Sequence, residues 1–150
     1  MELILWRHAD AEDGADDAAR ALTRKGLKQA TRMGAWLDAR LPKAARMIVS
    51  PAVRAQQTAK ALQREAQTSD LVNTGAHARD ILKAAGWPDG SGTVVVVGHQ
   101  PTLGAATALA LTGKAAGWHL KKGAIWWLSA QEGESAPTVV AVMTPDFVDA

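Results

Sequence analysis

Residues 92–98 read GTVVVVG, four consecutive valines framed by glycines. β-Branched residues favour extended chain, because branching restricts χ1 in a helix and packs well on a pleated surface. Successive side chains of a strand point to opposite faces. A strand that is apolar at every position therefore needs cover on both faces. That is the condition of a central strand in a parallel sheet layered between helices.

The flanking sequence supplies such layers. Residues 2–6, ELILW, form a second continuous apolar run, and RMIVS at 46–50 a third. Between them, Leu27, Ala30, Met33, Leu37 and Leu41 recur at helical spacing, with Thr23 placed as N-cap and Pro42 as the stop. Pro51 opens a second helix over AVRAQQTAKALQREAQ. A weak strand is expected within DLVNTGA (70–76), then a short helix over HARDILKAAG ending at Gly86. A helix over PTLGAATALALTG follows the valine strand. AIWWLSA and PTVVAVMT read as two late strands separated by the turn-prone QEGESAP. The order βαβα(β)αβα, then ββ, predicts one α/β domain over residues 1–150. It takes the form of a three-layer α/β/α sandwich around a mostly parallel sheet.

Composition narrows the function classes. The 150 residues include no cysteine, which removes disulfides and thiolate chemistry and fits a reducing compartment, so a cytoplasmic location is expected. The N-terminus has no basic n-region or long apolar core, so no secretory signal is expected. No apolar run approaches the ~20 residues of a membrane span, and no membrane association is expected. A net charge of +2 with scattered Lys and Arg is too weak for a nucleic-acid footprint. Nothing fixes an oligomeric state.

In open α/β sheets, ligands sit beyond the carboxyl ends of the strands. The first strand ends in Arg7 and His8. The second ends in Ser50, with Arg54 one turn into the next helix. The valine strand ends in Gly98 and His99. If these strands are neighbours, two arginines and two histidines meet at one rim. Guanidinium forks suit a tetrahedral dianion, because they donate paired hydrogen bonds to its oxygens. Helix N-termini after Pro51 and Pro101 are expected to add N–H groups. Adjacent arginines should keep an imidazole neutral and therefore nucleophilic.

The motifs RHADAE, LTRKGLKQA, SPAVRAQQTA and VGHQP, in that order over about residues 3–104, resemble the histidine phosphatase superfamily. The short length and the RHAxAE form are most similar to its compact branch, the SixA-type phosphohistidine phosphatases. The resemblance implies a phosphoglycerate-mutase-like fold and a metal-independent phosphatase with no cofactor. It implies that His8 is the nucleophile that becomes phosphorylated, and that Arg7, Arg54 and His99 hold the phosphoryl group. The substrate it implies is phosphohistidine on a protein. Small phosphate esters are the alternative, and a non-catalytic phospho-ligand-binding module is a further one. The chain departs from the wider family pattern at Ala9, where Gly is usual, and at Gly14, where many members carry Asn.

Asp10, Glu12 and His77 are the candidates for a general acid. Asp10 and Glu12 alternate with His8, but two nearby arginines disfavour a metal there. Glu12 is instead expected to position an arginine or meet the substrate. His77 reads first as an ordinary residue at a helix start, and His119 as exposed. The six tryptophans are read as packing residues; of Trp126 and Trp127, on opposite faces of one strand, one is free to be exposed against a partner.

Overall fold

A computed structural model describes residues 1–148. The elements are β1 (Glu2–Arg7), α1 (Arg24–Asp38), β2 (Arg46–Val49), α2 (Val53–Lys60) and β3 (Gln67–Thr68), followed by α3 (Ala78–Ala85), β4 (Thr93–Gly98), α4 (Thr102–Thr112), β5 (Ile125–Ser129) and β6 (Thr138–Met143). They build one six-stranded sheet in the order β3-β2-β4-β1-β5-β6. The first four strands are parallel, and β5 and β6 join antiparallel.

The valine strand β4 lies between β1 and β2 and is buried along its whole length. Its side chains divide as the period of two requires. Val95 and Val97 pack with Ile4, Trp6, Met47 and Val49 under α1 and α2. Val94 and Val96 pack with Leu3, Leu5 and Ile48 under α3 and α4. Each such burial is worth about 1.5–3 kcal/mol relative to exposure. No helix among the described residues is long and apolar enough to cross a membrane.

Helix α1 starts as its sequence indicates: Thr23 Oγ1 accepts from the Gly26 N–H at 2.9 Å. Such a cap is worth about 1 kcal/mol. Ala30, Met33, Leu37 and Leu41 are buried as their spacing indicates, and Leu27 is the exception. Leu27 is 49% exposed, and Gly26 takes the inward position. A Cβ on Gly26 would stand 1.9 Å from the Asp10 carbonyl oxygen, so only glycine lets the loop after β1 lie against the helix.

Helix α2 is shorter than expected. The chain leaves it after Lys60 and turns at Gln63, whose φ is +52°. Leu62 is drawn into the core, and Arg64 is anchored to Asp38 at 3.0 Å and to the Pro42 carbonyl at 2.7 Å. These contacts override the helical propensity of LQREAQ. The third strand is Gln67–Thr68, ahead of the expected 70–76, where Asp70–Val72 is instead a 3₁₀ turn that drops Val72 into the core. Neither Trp126 nor Trp127 stands free. Trp127 meets Trp36 edge-on at 6.4 Å and donates to Glu2 Oε1 at 2.9 Å, while Trp126 lies 5.9 Å from Trp118. Helix α1, strand β1 and the segment after α4 supply the two faces with these neighbours.

Candidate active site

Register sets the site. Arg7 pairs with Gly98, and Val49 pairs with Val97. The ladder continues one residue further, with His8 N–H donating to the Gly98 carbonyl at 3.0 Å and Ser50 N–H to the Val97 carbonyl at 3.1 Å. The ends of β1, β4 and β2 are therefore level, and adjacent strands are ~4.8 Å apart. Arg7, His8, Arg54 and His99 all line one cavity of about 340 Å³. The His8 and His99 rings lie 5.2 Å apart, tilted by 56°.

The His8 ring is 7% exposed, and its Nδ1 is 2.7 Å from the Ala9 carbonyl oxygen. A carbonyl only accepts, so Nδ1 carries the proton and Nε2 keeps its lone pair. Burial pushes the His8 pKa down to about 4, with the charges of Arg54, Arg7 and Arg20 acting in the same direction. The ring is held on α2 through its neighbour: Ala9 N–H donates to Thr58 Oγ1 at 3.0 Å, and Thr58 donates to the Arg54 carbonyl at 2.8 Å.

His99 Nε2 is 2.7 Å from Ser50 Oγ, which is also 3.3 Å from Asn73 Oδ1. Ser50 Oγ donates to Asn73 Oδ1, which also accepts from Thr74 N–H at 2.8 Å. Burial, followed by the proximity of His8 and Arg54, lowers the His99 pKa to about 3.

Among the described residues, four buried side-chain nitrogen or oxygen atoms lack a partner. Three of them are Arg7 Nε, Arg54 Nε and His99 Nδ1. Buried polar atoms are normally paired, and the two guanidinium Nε–H groups can only donate, so the residues lining this cavity fit an acceptor. A larger groove of about 700 Å³ runs between α3 and α4, but it contains none of them.

The remaining candidates separate. Asp10 is tied to Lys122 at 2.8 Å and to Thr23 at 2.7 Å, and these bonds hold its carboxyl below the usual range. Glu12 is exposed and serves through its backbone carbonyl, which accepts from Arg20 Nε at 2.7 Å. His77 is the exposed N-cap of α3; its N–H donates to Asp80 Oδ2 at 3.0 Å, and its side chain lines the α3–α4 groove, not the cavity. His119 is exposed, but the adjacent Leu120 carbonyl accepts from Arg7 Nη1 at 2.7 Å. The N–H groups expected at the start of α4 are already bonded, Leu103 to the His99 carbonyl at 2.8 Å and Gly104 to Gln100 Oε1 at 2.7 Å.

Asp17, Arg20 and Lys122, which none of the motifs singles out, also line the cavity. Asp17 bridges Arg54 and Arg20, at 3.1 and 3.0 Å. The one sequence signal for it is an acid three residues before a base, in a stretch that otherwise reads as loop.

The profile of the histidine phosphatase superfamily (branch 1) matches residues 3–76. A putative phosphohistidine phosphatase SixA from Nakamurella multipartitia superposes with a TM-score of 0.79 at 31% identity, over 96% of this chain and 95% of that one. The chain belongs to the histidine phosphatase superfamily. Within that superfamily, the phosphohistidine phosphatase SixA of Escherichia coli K12 is 28% identical over 119 residues, 69% of this chain and 70% of its own. A structure of the protein histidine phosphatase SixA complexed with tungstate superposes with a TM-score of 0.83 at 25% identity, covering 97% and 98% of the two chains. The α/β architecture of this histidine phosphatase is that of its superfamily, and its likeness to the SixA proteins extends over nearly the whole chain.

Proposed function

We propose that the protein is a phosphohistidine phosphatase acting through a covalent intermediate on His8. The observation that carries the reading is the pinned tautomer of His8, with a bare Nε2, on a residue that lines the same cavity as two arginines whose Nε–H donors lack partners. Nε2 attacks phosphorus, the bond to the leaving nitrogen breaks, and that nitrogen takes up a proton. The phosphorylated ring is cationic while Nδ1 keeps its proton, and the Ala9 carbonyl stabilises that proton. Arg7, Arg54 and His99 hold the phosphoryl oxygens as charge shifts in transfer. Water then attacks phosphorus, releasing phosphate and restoring His8. The names of the SixA relatives support this reading, and tungstate is, like phosphate, a tetrahedral oxyanion. The absence of cysteine suits work in the cytoplasm.

Substrate choice follows from proton supply. Asp10 is held as a carboxylate, and Glu12 and His77 lie off the cavity. An alkyl phosphate needs a general acid, worth typically ~10²–10⁴-fold. A phosphorylated imidazole leaves as a ring with pKa near 6.5 and needs much less help. On one preparation, kcat/KM should fall in the order phosphohistidine peptide, aryl phosphate, alkyl phosphate, with the last at least ~10²-fold below the first. Equal rates on glycerol phosphate would refute the assignment.

The pH dependence is set by His8. Its ordinary pKa of 6.5 is displaced to about 4, so the nucleophile stays neutral from pH 8 down to about 5. After correction for substrate ionisation, log kcat/KM should be flat through 6.5 and fall only as pH drops through about 4. An acid limb at 6.5 would show that His8 is solvated and is not held as described. The stability effect has the same sign. The unfolded histidines bind protons below 6.5, and the folded ones only near 4 and 3. The folded state is therefore progressively disfavoured as pH falls across that window.

A further inference from the structure

We propose that Asp17 is the positioning residue of the phosphoryl site, holding one edge of the Arg54 fork so that the other edge is presented to the phosphoryl oxygens. This rests on the reading above that Arg54 binds the phosphoryl group. A guanidinium has two edges able to make paired bonds: the end edge, from Nη1 and Nη2, and the side edge, from Nε and Nη2. Asp17 takes the end edge alone. Arg54 Nη1 donates to the Asp17 carbonyl at 2.7 Å, and Nη2 donates to Asp17 Oδ2 at 3.1 Å. Arg54 Nε has no partner although it is buried. Two acceptors on one edge fix both the rotation and the depth of the fork. The edge left vacant is the one that suits a tetrahedral oxyanion.

Asp17 is itself fixed. Arg20 Nη1 donates to Asp17 Oδ1 at 3.0 Å, and Arg20 Nε donates to the Glu12 carbonyl at 2.7 Å. The loop that carries them is closed at its base, where Thr23 N–H donates to the Asp10 carbonyl at 3.0 Å and Ala11 bridges Leu22. The two arginines hold the Asp17 carboxyl below its ordinary range, so it is charged at neutral pH. The Arg54 side chain is 4% exposed, so water does not take over this duty. The Asp17 side chain is 57% exposed, so its replacement leaves the core intact. The rival role for such an acid is a plug that competes with phosphate. A plug would bond the edge that the anion uses, whereas Asp17 bonds Nη1 and Nη2 and makes no bond to Nε.

The test is a double-mutant cycle read by kcat/KM on a phosphohistidine peptide and by competitive inhibition with orthovanadate. Asp17→Asn should lower kcat/KM and weaken vanadate by about 5- to 50-fold, the range for coupled neighbours in one network, at unchanged melting temperature. In an Arg54→Ala background the same change should cost under about twofold, because the group it acts through is gone. Asp17→Glu, which keeps a carboxylate, should lose less than Asp17→Asn. Tighter vanadate binding in Asp17→Asn would establish the plug and overturn the proposal. Equal losses with and without Arg54, or no loss at all, would overturn it too. If Arg54→Ala itself keeps full activity, the phosphoryl role of Arg54 fails, and this proposal fails with it.

Discussion

His8→Ala is expected to abolish turnover, by several orders of magnitude, because covalent catalysis has no substitute nucleophile in the cavity. His99 is the one other imidazole there, and its Nε2 is engaged by Ser50. The fold should survive. The His8 side chain belongs to none of the apolar core clusters and makes one hydrogen bond, to the neighbouring carbonyl. Its loss also removes one of the groups whose lowered pKa penalises the folded state in acid, so the variant should resist low pH slightly better than the parent. Acid quenching after mixing with a labelled phosphoryl donor should trap phosphoenzyme in the parent and none in His8→Ala. Activity within tenfold of the parent would remove His8 from the nucleophile's role.

Arg54→Ala is expected to cost about 2–4 kcal/mol of transition-state stabilisation, the scale for one lost preorganised donor. In kcat/KM that is about 30- to 1000-fold at 1.36 kcal/mol per decade. The loss should appear mainly in kcat, since the interaction strengthens as charge moves onto the phosphoryl oxygens. Arg54→Lys should recover only part of it. A point charge has no second edge, so it cannot be held by Asp17 and still offer paired donors to the substrate. Stability should change little, because the Thr58 bond that joins α2 to the His8 strand uses the Arg54 backbone carbonyl and survives either substitution. A phosphate, vanadate or sulfate ion found away from Arg7 and Arg54 in a soaked crystal would refute the clamp.

The layered α/β fold and the four residues around the cavity were legible in the amino-acid order for one physical reason. Apolar runs with period-two burial define parallel strands, and a buried strand that stops at Arg, His or Ser must stop at solvent or at a site. Arg7, His8 and His99 stand at the ends of such runs and Arg54 one turn beyond the RMIVS run, so their convergence needed only that β1, β2 and β4 be neighbours. The same local logic placed the Thr23 cap and the central position of β4. It failed where the partner is distant or is backbone. Gly26, not Leu27, faces inward because the Asp10 carbonyl lies against the helix. Helix α2 stops at Lys60 because Leu62 and Arg64 find partners across the fold. The His8 tautomer is fixed by a carbonyl, which every residue carries and no sequence pattern marks. Asp17 meets Arg54 across 37 residues from an irregular loop, where neither helical nor strand periodicity relates position to direction. The sequence determined which side chains end the strands. Tertiary structure alone decided which of their atoms remain free to act, because hydrogen-bond partners are assigned by where the chain closes on itself.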